Sequence, residues 1–383
     1  MNGRSITDDF FVEQTEKSAI KSAIVYNFFK VYIRIINAKF NKKIYYIDLF
    51  SGPGKYDDGT ASTPIHILNA IEAYDNSLLI QCVFNERDKE YFDKLKNNVI
   101  NHEVYNNLAY KPIITNVDAA DVDLSQYLKG NVPAFSFVDP FGYKGTSVEQ
   151  IWQLVHNVGS DCVFFFNANR IIMDFDKPNK DRDFSKLFGE YYDELSKKIQ
   201  NCPSHYSKMK LVLKAFTMNL QNVVYRQKYN FKLFVLPFGF SFDDRIKDSH
   251  YLLFISKNHK AVMEMKRVMA RFSNSISEMY AYDSKTVNQL SLFNIEDDGY
   301  NNFCKAISDC REELEGKHYK LESFGERLDE LSMERYHKVT PFSIQDIKKF
   351  LRMYYDEGFI ISCDAFKPRE IFADNRVFKF KDN

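Results

Sequence analysis

Four carboxylates stand where short apolar runs of the chain break off. Asp48 ends Tyr45-Tyr46-Ile47, Glu86 follows Cys82-Val83-Phe84-Asn85, Asp118 follows Ile113 to Val117, and Asp139 follows Phe135-Ser136-Phe137-Val138. An ionised carboxylate only accepts hydrogen bonds. Glu86 could therefore take both hydroxyls of a ribose and Asp118 an adenine amino group, while Asp139 could face a second substrate. Just past Asp48 comes Ser51-Gly52-Pro53-Gly54, where the missing Cβ of glycine lets backbone amides approach a ligand closely. Taken singly, each acid equally well caps the helix or turn that follows it. Four of them in this order point to a nucleoside pocket.

Phosphate-binding loops fit less well. Gly52-Pro53-Gly54-Lys55 lacks the G-x-x-x-x-G-K-[ST] spacing, and Asp57 stands where G-x-G-x-x-G needs its third glycine. An acidic residue at the first strand end also disfavours a pyrophosphate, so NAD(P) and nucleoside triphosphates are minor readings. Asn167 could bind substrate or satisfy backbone. Lys144 and Arg170 suit an anionic substrate or plain solvation, and His250 and His259 read as surface or core histidines.

The elements that must hold these residues alternate. The spacing of Ile20, Ile24, Phe28, Tyr32 and Ile36 predicts an amphipathic helix over Glu16 to Phe40. Strands are expected at Lys43–Phe50, Leu78–Phe84, Lys111–Val117, Ala134–Val138 and Asp161–Phe166. Helices are expected from an N-cap at Thr63 to Tyr74, at Lys89–Val99 and at Ser147–His156. Such alternation specifies a parallel sheet, and apolar runs suit strands buried on both faces. In an open parallel sheet ligands bind beyond the carboxyl ends of the strands, where the four acids fall. Later come two strands, Phe231–Phe238 and Tyr251–Ser256, after a charged interruption at Asp174–Asp183 that reads as a loop or lid. A capped helix from Ser343 to Gly358 precedes two short strands and suggests a winged-helix module.

Composition narrows the classes. With 52 Lys plus Arg against 52 Asp plus Glu, the net charge is zero, unlike a protein whose main task is coating nucleic acid. Locally, Asn201 to Asn274 holds 13 basic and four acidic residues, interleaved with Phe216, Tyr225 and Tyr229. That stretch is either a solvated face or a groove that tracks a phosphate backbone and stacks bases. The six cysteines are scattered without a C-x-x-C pair, so neither a metal site nor a disulfide framework is expected. No apolar leader and no 18-residue apolar span occur, so no membrane association and a cytoplasmic location are expected.

Tyr46 to Gly59, Pro64, Phe84-Asn85-Glu86-Arg87-Asp88 and Phe137 to Gly145, with Phe166-Asn167 and Tyr251 to Ser256, together resemble the three-Cys-motif partner family. The resemblance runs from about Glu16 to Arg271. It implies a Rossmann-like class I methyltransferase fold with a C-terminal helical, winged-helix-like extension. It implies S-adenosylmethionine as cofactor, bound by Asp48, Phe50, Ser51, Gly52, Gly54, Glu86, Arg87 and Asp118. It also implies a partner bearing a three-cysteine motif, similar to radical-SAM or iron–sulfur proteins, a motif this chain's own cysteines do not form.

Asp139-Pro140-Phe141-Gly142-Tyr143 is similar to the [Asp/Asn]-Pro-Pro-[Tyr/Phe] motif of methyltransferases acting on adenine or cytosine amino groups. There the acid or amide and a proline carbonyl accept from the exocyclic amine while the aromatic stacks on the base, which is positioning and electrostatics. Asp139, Pro140, Phe141 and Tyr143 are the catalytic candidates. Phe141 replaces the second proline, Gly142 takes the aromatic slot, and Tyr143 could stack one residue late. The alternative is a strand-ending turn with Phe141 in the core. The chain reads as a methyltransferase-like domain over residues 1–275, a helical connector over 276–330 and a winged-helix-like module over 331–383. Methyl transfer to a nucleic-acid or nucleotide amine is the leading function. A non-catalytic subunit serving the three-Cys-motif partner, or an adaptor binding DNA or RNA, are its rivals.

Overall fold

The structure, a computed structural model, describes residues 13–40, 43–74, 79–175, 181–228, 232–241, 250–276, 278–283, 294–362, 372 and 376–381. The chain opens with α1 (Glu16–Phe40), β1 (Ile44–Asp48), α2 (Thr63–Glu72), β2 (Ile80–Asn85), α3 (Lys89–Ile100) and β3 (Ile113–Thr115). It continues with α4 (Ser125–Leu128), β4 (Ala134–Val138), α5 (Val148–Val155), β5 (Asp161–Phe166), α6 (Ala168–Asp174), α7 (Asp181–Phe188), α8 (Tyr192–Gln200) and α9 (His205–Arg226). Then come β6 (Phe234–Ser241), β7 (His250–Ser256), α10 (His259–Phe272), β8 (Ser275–Ile276) and β9 (Tyr280–Asp283). The last elements are α11 (Asn294–Asp309), α12 (Arg311–Leu314), β10 (His318–Tyr319), α13 (Leu321–Tyr336), α14 (Ile344–Asp356), β11 (Ile360–Ser362) and β12 (Phe378–Phe380). Contacts divide the chain into two compact units, residues 1–233 with 249–261, and residues 234–248 with 262–383.

In the first unit the strands lie in the order β3-β2-β1-β4-β5-β7. β3, β2, β1, β4 and β5 run parallel, and β7 is antiparallel to β5. Every residue of β1, β2, β4 and β5 is buried, as apolar runs require when helices cover both faces. After β3 the chain returns to the free edge of β1 to add β4, which makes the β1/β4 boundary the topological switch point. Register then does the positioning. Asp48 pairs with Phe84 on β2 and Phe137 on β4, so Glu86 and Asp139 emerge two residues beyond the same rung. This is the α/β, Rossmann-like class I methyltransferase fold.

α1 packs on one face of this sheet. Phe28 meets Phe135 at 5.4 Å and Phe254 at 4.7 Å between ring centroids, and Phe29 meets Tyr46 at 5.3 Å. α9 covers the other face, with Phe216 against Phe164 and Phe166 at 5.4 and 4.9 Å. Phe216 is therefore core, and the basic, aromatic stretch does not present it to a base; Tyr229 lies outside the described residues. The N-cap of α2 is Ser62 and not Thr63, which is its first helical residue. Asp174, expected on a loop, closes α6 as a buried residue, and α7 begins at Asp181, inside the expected interruption.

The second unit holds β6, β9 and β8, with β9 parallel to β6 and antiparallel to β8. A three-stranded sheet, β10-β12-β11, shares a core with α11, α13 and α14 that joins Phe303, Phe324, Phe350, Phe378 and Phe380. Lys266 and Asp329 form an ion pair of 2.6 Å with both side chains at 0% exposure, and Thr340 donates to the same carboxylate. Among the described residues no helix is long and apolar enough to cross a membrane.

Candidate functional site

A cleft with an empty volume of about 770 Å³, counting its open mouth, lies beyond the carboxyl ends of β1, β4 and β5. Asp48, Phe50 and Ser51 line it from the β1 end, and Asp139, Pro140 and Phe141 from the β4 end. Asp48 is fully buried and accepts the Phe50 amide at 3.1 Å. Burial pushes its carboxyl up to about 8, with the Asp139 and Glu86 charges adding and the Phe50 amide opposing.

Glu86, Arg87, Asp118 and Gly52 form a second, adjoining group. Gly52, at φ +63°, turns its amide onto Glu86 Oε2 at 2.9 Å, and the Asp88 amide donates to Glu86 Oε1 at 2.8 Å. Burial raises the Glu86 carboxyl above its ordinary range despite those amides. Asp118 accepts the Ala120 amide at 3.0 Å, the capping role open to any such acid, and pairs with Arg87 at 3.3 Å. Asn85, which sequence patterning passes over as a strand residue, holds the group together. Its buried side-chain amide donates to the Leu49 and Val117 carbonyls, both at 3.1 Å, tying the β1 and β3 loops to β2.

Two expected site residues fall differently. Gly54 serves packing: a Cβ there would sit 3.3 Å from Leu95 Cδ1. Tyr143 does not line the cleft; its buried ring stacks on Phe184 at 5.1 Å, and its hydroxyl donates to Asp174 at 3.2 Å. Phe141 is 53% exposed at the cleft, which overturns the alternative that put it in the core. Asn167 lines the cleft and also caps α6 by accepting the Arg170 amide at 2.9 Å.

The cations of the site come from α1, whose apolar spacing signals only an amphipathic helix. Lys21 Nζ lies 2.5 Å from Asp139 Oδ2 and 4.0 Å from the Phe165 ring centroid. Lys17, one turn earlier, is 5.4 Å from the same centroid. Burial, then the Lys21 charge, lowers the Lys17 ammonium to about 8, against the pull of Asp139. His250 enters because β7 runs antiparallel to β5, which brings its first residue to the same end; its ring stacks on Phe165 at 5.5 Å. Burial and both lysines hold it near 3, so it is neutral at physiological pH. A usable signal did exist, since lysines in the first turns of a helix oppose its dipole and call for another reason.

No family model and no curated protein matches the chain. Among solved structures it is similar to protein LPL1258 of Legionella pneumophila, at 10% identity over 66% of this chain and 92% of that one, TM-score 0.36. It is also similar to the O-methyltransferase TomG of Streptomyces achromogenes, solved with S-adenosylmethionine, at 11% identity over 66% and 94%, TM-score 0.30. A third is the plantazolicin methyltransferase BpumL, solved with S-adenosylhomocysteine, at 11% identity over 63% and 90%, TM-score 0.29. At such scores the fold rests on strand order and register, and the chain has a methyltransferase-like fold on that ground.

Proposed function

We propose that the chain binds S-adenosylmethionine in this cleft and methylates an amine of a nucleic acid or nucleotide. One observation carries the proposal: register brings Asp48, Glu86 and Asp139 to one edge of the sheet at its switch point, and Asp48 and Asp139 line the cleft there. The residues suit the cofactor. Each Glu86 oxygen takes one backbone amide and keeps a lone pair for a ribose hydroxyl. Asp118 would accept from the adenine amine, and Phe50, Ser51 and Arg87 would complete the nucleoside contacts. The cofactor supplies an electrophilic methyl group on a sulfonium. On the acceptor side Asp139 and the Pro140 carbonyl accept the amine N–H groups, Asp139 takes the proton the nitrogen sheds, and exposed Phe141 offers its face to the base. Lys21 is a positioning residue that fixes the Asp139 carboxylate.

Calorimetry with S-adenosylhomocysteine tests the cofactor. Glu86→Ala should weaken binding by about 1.5–3 kcal/mol, roughly ten- to hundredfold. Asp139→Ala should leave that affinity nearly unchanged and lower turnover of labelled cofactor on DNA, RNA or nucleotides by about 10²–10⁴-fold. Wild-type protein that binds neither S-adenosyl ligand at millimolar concentration sinks the proposal.

A second reading has its own support: Lys21 already occupies the Asp139 carboxylate. On that reading the chain is a non-catalytic subunit of a three-Cys-motif protein, with the α11 to β12 segment as a winged-helix-like docking module. Co-purification with such a partner, together with no turnover on any amine, would favour it.

A further inference from the structure

The cleft wall built from the first turns of α1 and α2 holds more positive charge than its carboxylates balance. Lys17 and Lys21 both lie over the Phe165 ring, and Asp139 pairs with Lys21 alone. Among the described residues no carboxylate lies within ion-pair distance of Lys17, although the side chain is half-buried. The other titratable groups facing this corner add little charge. His250 is neutral, and Asp48 is held protonated over much of the physiological range by its burial. A half-buried ammonium with no carboxylate at ion-pair distance is costly unless something anionic completes it.

A second observation stands apart from charge. Ser62 lines the same cleft at 6% exposure, and its Oγ has no hydrogen-bond partner among the described residues. It occupies the N-cap position of the ten-residue α2 without capping it, and the first turn of α2 carries no acid. Buried hydroxyls are normally satisfied, so an unused one on a cleft wall marks a place for a ligand atom. The Ser22 and Thr63 hydroxyls, 2.9 Å apart, pin the two helix starts together and fix this geometry.

We infer that Lys17, Ser62 and the N-terminus of α2 form a subsite for an oxyanion, a carboxylate or phosphate borne by the molecule that fills the cleft. The Lys17 ammonium and Ser62 hydroxyl donate to its oxygens, and the helix end favours its charge. Lys21 stays with Asp139, so the oxyanion sits beside the amine position without displacing its acceptor. The subsite deepens the proposed function by sharing its cleft, but it stands on different residues.

The test compares three probes on wild type, Lys17→Met and Ser62→Ala: S-adenosylhomocysteine, 5′-methylthioadenosine and inorganic phosphate. The second probe keeps the nucleoside and thioether and lacks the carboxylate. If the oxyanion is the cofactor's carboxylate, Lys17→Met weakens S-adenosylhomocysteine about tenfold and leaves 5′-methylthioadenosine unchanged. If it is an acceptor phosphate, only phosphate binding falls. Wild-type affinity for the affected probe should drop as pH rises through about 8 and flatten in Lys17→Met. That difference isolates Lys17 from Asp48, which titrates nearby. Phosphate binding lost in Lys17→Met, with no S-adenosylhomocysteine binding to wild type, would sustain the subsite while ending the cofactor proposal. Equal affinities of wild type and Lys17→Met for all three probes, or no binding of any probe to wild type, overturns the subsite.

Discussion

At the residue scale the site combines acids in unlike surroundings, and their titration has consequences. Asp48 is fully buried and its carboxyl is raised to about 8 from an ordinary value near 4. The folded state therefore binds more protons than the unfolded chain between those values, and stability falls as pH rises through that window. Its contribution is complete below about pH 4 and lost as pH passes 8. Asp48→Asn should flatten the decline of melting temperature between pH 5 and pH 8. Parallel melting curves for wild type and variant would show that burial does not act on Asp48 in this way. The pairing of Lys21 with Asp139 is a different case, because there a partly buried carboxylate has a cation beside it.

At the element scale the strands were legible because apolar runs ending in polar residues record burial on both faces and a carboxyl-end exit. α1 and β4 have the bounds that their sequence patterns predict, while β3 is three residues long where the pattern spans seven. It is the edge strand and pairs only with β2 among the described residues, so its ladder ends early. In the long α9 the density of lysines masks an apolar face that includes Met209, Val212, Phe216, Leu220 and Val223. Loops can be tested by glycine. Gly54 and Gly59 have φ of +82° and +86°, but an added Cβ meets Leu95 at 3.3 Å only at Gly54 and nothing within 4 Å at Gly59. Both alanine variants should lose about 1–2 kcal/mol from the left-handed backbone, and Gly54→Ala more than Gly59→Ala. Urea unfolding measures the difference, and equal losses would remove the packing role given to Gly54.

At the scale of the whole molecule the two compact units each own a core, and the second also buries a charge pair. Removing one member of Lys266–Asp329, as in Lys266→Met, should cost about 3–5 kcal/mol because the remaining charge is stranded. Lys89→Ala, which breaks an exposed pair with Asp93, should cost no more than about 1 kcal/mol. A loss from Lys266→Met no larger than that from Lys89→Ala would mean that water reaches the buried pair. The core from Phe303 to Phe380 also bears on truncation, since Phe324 and Leu331 pack with Phe350 and Phe378. Deleting the chain from Ser332 should expose that core and produce strong binding of a hydrophobic dye. A truncated chain with unchanged dye binding and melting would show that the earlier half folds without the later one.

The sequence by itself determined what depends on local pattern. Alternating strands and helices, and four acids at strand ends, follow from which residues are apolar and where the runs stop. Those are facts about neighbours along the chain. Tertiary structure decided which distant residues meet. Lys21 and Asp139 lie 118 positions apart and come together because α1 packs across β1 and β4. His250 joins them only because β7 enters antiparallel to β5. Tyr143 leaves the site because its ring finds a better place beside Phe184 and Asp174 than at the cleft. The acids could be read from one dimension because a strand end is a one-dimensional feature. Their counter-ions could not, because a charge is balanced by whatever the fold brings within a few ångströms of it.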